Sequence, residues 1–228
     1  MKETVLTDIS YEINIEKLME ELHVIDEPDK KGFLELIDKA RNIAVPKAVY
    51  GEAYIEEKYK EEIIIDDIKF NSRILRVNLE EIHRVFPFII TAGLEVYEWA
   101  KSIEEILTRF WADKIQEYIL QQAINGVFAH ISKRYDLKKT AIMNPGSLED
   151  WPISEQKKLF RLFDNPEKKT GVKLTDSFLM LPSKSISGIL FPTEKDYVNC
   201  RLCSRENCSG RRALYDRELY QRQYSIKE

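Results

Sequence analysis

From Leu94 to about Tyr135 the sequence keeps a helical period, broken once near Lys101-Ser102. Beyond the break, Ile103, Leu107, Phe110, Trp111, Tyr118, Gln122 and His130 recur at near-helical intervals. That pattern predicts a long central helix, largely buried on one side, and Ser102 with Glu105 three residues on reads as its capping box. Runs of the other period lie on both sides of it. Residues 48–55, 61–65, 74–77 and 87–93 read as strands before the helix, with Asp66-Asp67 and Asn71-Ser72 as turns, and Asn78 with Glu81 reads as the cap of a short helix. After the helix, Ser177–Pro182 and Ser183–Phe191 suggest adjacent strands, and residues 211–222 a closing polar helix. Amphipathic patterns over 12–24 and 29–44 predict two helices near the N-terminus, the second ended by Pro46. The expected class is α+β: an antiparallel or mixed sheet flanked by helices.

A chain of 228 residues can bury a sizeable core and fits one large domain or a domain with an appendage. A formal charge of −4 gives no basic signature for nucleic acid. No apolar run approaches the roughly 20 residues of a membrane span, and Met1-Lys2-Glu3-Thr4 lacks the apolar core of a signal peptide. A cytoplasmic location is expected, with no membrane partner.

All 3 cysteines fall within Cys200-Arg201-Leu202-Cys203-Ser204-Arg205-Glu206-Asn207-Cys208. Thiolates two residues apart reach one ion when a turn folds the backbone around it, so Cys200, Cys203 and Cys208 are candidate metal ligands. Structural zinc wants four protein ligands, and His23, His83 and His130 all lie far upstream. A 4Fe–4S cluster with one iron left to an outside ligand is the favoured reading and zinc the alternative. A disulfide with one free thiol, or three unliganded thiols, are the non-metal readings. Arg201, Arg205, Arg211 and Arg212 would offset thiolate or cluster charge.

Two other places invite chemistry. Asp113 and Glu117 stand four apart on the long helix, so their carboxylates share a face; on periodicity alone that is a solvated face. His130 reads as a satisfied core histidine. In Asn144-Pro145-Gly146-Ser147, Pro-Gly makes a tight turn and Gly146 permits positive φ and close approach of a ligand; Trp151-Pro152 then stiffens the entry to a short helix through Leu162.

The order Asn144-Pro145-Gly146, Trp151-Pro152, Glu155-Gln156-Lys157, Thr170-Gly171-Val172-x-Leu174-Thr175-x-Ser177, then Met180-x-Pro182 and Ser187-Gly188, resembles the activation (reactivation) domain of cobalamin-dependent methionine synthase. The resemblance covers about 113–191 and implies a twisted antiparallel sheet and a shallow site for S-adenosylmethionine. It further implies an accessory protein that, with an electron donor, restores methylcobalamin from cob(II)alamin on a separate cobalamin-binding methionine synthase or corrinoid protein. Cobalamin would be met only through that partner. Within this reading residues 1–198, including the helices of 12–44, form the activation-like domain and 199–228 a cysteine-rich, metal-binding extension. The family's acidic helix motif matches Asp113 and Glu117, and its Pro-Gly turn matches Pro145-Gly146, so Asp113, Glu117, Asn144, Pro145, Gly146 and Ser147 become candidate ligand-binding residues. Ile142 stands where the family has a carboxylate-binding arginine and Ser147 where it has tyrosine; Lys184 or Arg134 is a candidate replacement for the missing charge. The alternative is a non-catalytic module that docks on a corrinoid protein, with structural zinc and no S-adenosylmethionine.

Overall fold

The computed structural model describes residues 1–195, 197–205, 207–208 and 211–224. Its elements run β1 (Lys2–Leu6), α1 (Ile15–Glu21), α2 (Glu27–Ile43), β2 (Lys47–Lys58), β3 (Glu62–Ile65), β4 (Ile68–Asn71), α3 (Arg73–Asn78), β5 (Arg84–Thr91), α4 (Leu94–Lys101), α5 (Ile106–Tyr135), β6 (Thr140–Met143), α6 (Gln156–Arg161), α7 (Pro166–Thr170), β7 (Lys173–Leu174), β8 (Met180–Leu181), β9 (Ser185–Pro192) and α8 (Arg217–Gln223). The expected α+β architecture is present. A seven-stranded antiparallel sheet has the order β4-β3-β2-β5-β9-β6, with β1 also paired to β2.

Strand alternation divides the core. Phe86, Phe88 and Ile90 of β5 and Ala48 and Tyr50 of β2 point to α5, where Ala123, Val127 and Ile131 meet them. Val85 and Ile89, with Val49 and Ala53, point to the other face, under α3, α6 and Trp151. A third cluster joins α1, α2 and α4 to the first half of α5, with Phe33 set edge-on to Trp111 at 5.7 Å between ring centroids. The long helix thus serves two cores in succession, and its 30 residues are the backbone of the design.

Several local expectations are corrected. Residues 74–77 are helical, within α3, because Ser72 accepts from the Leu75 N–H at 3.0 Å and starts a helix in place of a turn. Asn78 therefore ends a helix, its amide donating to the Ile74 carbonyl at 2.9 Å. The cap of α5 is Glu105, which accepts from Leu107 and Thr108, while the Ser102 hydroxyl donates to the Trp99 carbonyl at the end of α4. Leu107 and Phe110 are exposed; the buried stripe begins at Trp111 and runs through Ile115, Ile119 and Ala123. His130 is exposed too, its ring 3.1 Å from the Tyr50 hydroxyl. The run 177–182 yields only β8, which pairs with β7 in a separate two-stranded sheet and not with β9. The closing helix is α8, beginning at Arg217 where Asp216 accepts from the Leu219 N–H at 2.8 Å. No helix among the described residues is long and apolar enough to cross a membrane.

Candidate functional site

A cavity of about 480 Å³, within the range of small-molecule sites, opens between α5, β6 and β9. On α5 its wall is Gln121, Ile124, Asn125 and Phe128, one helical face at spacings of three and four. Ile142 comes from β6, and Ile186 and Leu190 from β9. The chain beyond β9 folds back to supply Tyr197, Val198, Asn199 and Arg212.

Asn144 sits at the mouth, its side-chain amide donating to the Ser187 carbonyl at 2.8 Å. This arrangement needs a glycine at 188. A Cβ there would lie 2.5 Å from the Met143 carbonyl oxygen and 2.6 Å from Asn144 Nδ2. The next residues turn away: Ser147 N–H donates to the Asn144 carbonyl at 3.2 Å with Gly146 at φ 81°, the geometry of a type II turn with proline and glycine in their preferred places. Pro145 is buried; Gly146 and Ser147 are exposed and line a second cavity, of about 640 Å³, together with Cys203 and Tyr220. The four-residue motif is thus divided between two cavities. The Asp150 carboxylate anchors the loop that follows, accepting from Ser72 Oγ at 2.6 Å and the Ile74 N–H at 2.8 Å.

Asp113, Glu117 and Lys184 come together, as a cluster beside the first cavity and not as part of its lining. Lys184 Nζ lies 2.9 Å from Asp113 and 3.9 Å from Glu117, which also accepts from Lys114 at 2.9 Å. Glu117 holds the Lys114 ammonium above its ordinary range. Glu117 stands one turn, about 6 Å, before Gln121 on the same stripe.

Two polar side-chain atoms of the segment after β9 are buried. Among the described residues, Tyr197 Oη and Asn199 Oδ1 have no hydrogen-bond partner, and Asn199 is 8% exposed. Burial drives the Tyr197 phenol well above its usual range, so it stays protonated. Groups of this kind cost free energy unless something pairs with them.

Cys200 and Cys203 are half-buried and Cys208 exposed, all as free thiols. The Arg212 N–H reaches Cys200 Sγ at 3.4 Å and is the main reason that thiol falls below its ordinary range. Among the described residues no three histidine, cysteine or acidic side chains are grouped as a metal would need. As folded, the three cysteines do not fit the expected cluster or zinc site. The loop is instead gathered by the Arg211 guanidinium, which donates to the carbonyls of Cys200 at 3.3 Å, Cys203 at 3.3 Å, Ala213 at 3.1 Å and Arg205.

Residues 129–212, which hold the C-terminal end of α5, all of β6 and β9, and the cavity's far wall, match the model for the activation domain of vitamin B12 dependent methionine synthase. The fold matches the solved MetH reactivation domain bound to AdoHcy with a TM-score of 0.63 and 16% identity, over 88% of this chain and 82% of that one. The chain resembles a methionine synthase activation domain. At that identity the structural likeness establishes the fold, and the family match locates the likeness in sequence. No curated protein matches the chain.

Against that activation-domain background, the polar lining of the cavity was partly readable in advance. Gln121 and Asn125 continue the Asp113 and Glu117 stripe at steps of four. Tyr197, Asn199 and Arg212 had no such signal, since only the return of the chain after β9 brings them to α5.

Proposed function

We propose that the chain binds S-adenosylmethionine in the cavity between α5, β6 and β9. In this reading it is an accessory protein for reductive reactivation of a separate cobalamin-dependent methionine synthase or corrinoid methyltransferase. One observation carries the proposal: the β6, β9 and post-β9 walls of the cavity of about 480 Å³ lie within the segment matching the activation-domain family, and the polar face of α5 just before that segment closes it. The fold is shared with a domain solved with AdoHcy.

The reaction asks the protein for positioning more than acid–base work. An electron from a separate donor reduces the partner's cobalt from the cob(II)alamin to the cob(I)alamin state. The cobalt electron pair then forms a bond to the sulfonium methyl carbon, the sulfur–methyl bond breaks onto sulfur, and S-adenosylhomocysteine leaves. The chain's task is to hold the sulfonium at the cavity mouth with its methyl group outward. Gln121 and Asn125 supply polar contacts along the ligand. No step is assigned to the cysteines.

The test is anaerobic. A corrinoid methyltransferase in the cob(II)alamin state, an electron donor and S-adenosylmethionine are mixed with and without this chain, and methylcobalamin is followed by its absorbance. The proposal expects faster formation with the chain and none without S-adenosylmethionine. Equal rates with and without the chain, together with no calorimetric binding of S-adenosylhomocysteine, would overturn it.

A further inference from the structure

We propose that the segment after β9 recognises the amino-acid end of the ligand, with Arg212 binding the α-carboxylate and Asn199 Oδ1 accepting from the α-ammonium. The assignment rests on the S-adenosylmethionine reading and adds to it which wall reads which part of the molecule.

Among the described residues, Arg212 is the one cation lining the cavity. Ile142, on β6 in the same cavity, carries no charge. A ligand that carries a carboxylate has this guanidinium as its charged partner there, through strong, forked N–H donation. The second observation is independent of charge. Asn199 is 8% exposed, lines the same cavity, and leaves Oδ1 unpaired among the described residues. An unpaired buried carbonyl oxygen calls for an N–H donor, which an α-ammonium supplies. The two residues are held close, since the Arg212 N–H lies 3.4 Å from Cys200 Sγ and Cys200 follows Asn199 directly. A guanidinium and an amide oxygen on one wall of the cavity match the paired carboxylate and ammonium of an α-amino acid. The cysteine-bearing segment is thereby part of the binding site.

The test compares two probes by isothermal calorimetry: S-adenosylhomocysteine, and 5′-methylthioadenosine, which keeps the adenosine thioether but lacks the amino-acid carbons. Wild-type protein, Arg212→Ala and Arg212→Lys are titrated, with thermal unfolding of each variant as a check on the fold. Arg212→Ala should weaken S-adenosylhomocysteine about 10- to 100-fold, the loss expected for a charge-assisted contact, and leave 5′-methylthioadenosine within about twofold. Arg212→Lys should fall between. Unchanged S-adenosylhomocysteine affinity in Arg212→Ala, or equal losses for both probes in a variant with wild-type unfolding, would overturn the assignment while leaving the proposed ligand in place. Wild-type protein that binds neither probe would overturn the ligand reading and the assignment together.

Discussion

The Asp150 carboxylate accepts from both Ser72 Oγ and the Ile74 N–H, joining the loop after β6 to the first turn of α3 across 78 residues of chain. Ser72 in turn accepts from the Leu75 N–H and is 2% exposed. Asp150→Ala leaves a buried hydroxyl and a helix-terminal N–H without their acceptor. A loss of about 1–3 kcal/mol is expected, read as a lowered midpoint in urea unfolding at unchanged slope.

Gly188→Ala tests the close approach of β6 to β9. The added Cβ meets the Met143 carbonyl and Asn144 Nδ2 at 2.5 and 2.6 Å, and neither the strand backbone nor the hydrogen-bonded amide can retreat freely. Destabilisation of about 1–3 kcal/mol should accompany a loss of ligand affinity, because Asn144 must leave the Ser187 carbonyl. Equal stability of the two proteins would show that β6 yields.

Stability at acid pH should carry the signature of two carboxylates. Glu105 is held below its ordinary value of 4.5, chiefly by accepting from Thr108 and then Leu107 at the start of α5. Asp216 is held below 3.8, first by the Leu219 N–H and then by Arg201. A depressed carboxyl stabilises the fold above its unfolded value and loses that contribution as pH falls through the folded value. Stability should therefore decline below about pH 4.5. Glu105→Gln should flatten the upper part of this decline, as measured by thermal unfolding across pH 2–6.

Tyr224→Phe probes how the C-terminal segment is tied down. Tyr224 is buried, its hydroxyl donates to Asn78 Oδ1 at 2.8 Å, and its carbonyl accepts from Arg73 at 2.7 Å. Losing the hydroxyl should cost about 1 kcal/mol. It should also speed tryptic cleavage near Arg217 relative to the rest of the chain. Unaltered cleavage would mean that the packing of Leu202 and Leu219 suffices.

What could be read in advance follows from where a residue's partners lie in sequence. The apolar runs of β2, β5 and β9 and the helical period of α4 and α5 are local signals, and each element appears close to its expected bounds. Ile74, Leu75 and Val77 suit a strand as well as a helix because a short apolar stretch fits either period, and the deciding residue, Ser72, looks alike as a turn or a cap. Leu107 and Phe110 fit the stripe but lie outside the packed span, which only tertiary contacts define. Asp113, Glu117 and Lys184 do lie together, yet their charges are spent largely on each other. The polar wall at Asn199 and Arg212 depends on a chain reversal, and a reversal leaves no period to detect.

The guanidinium of Arg211 gives the cysteine loop a permanent cross-brace. Its bonds go to backbone carbonyls, so the brace engages the main chain of Cys200 and Cys203 and leaves their sulfurs out of it. Arg211→Lys, one compact ammonium in place of a planar fork, could not span the same acceptors. The same brace fixes the main chain next to Arg212, whose N–H meets Cys200 Sγ.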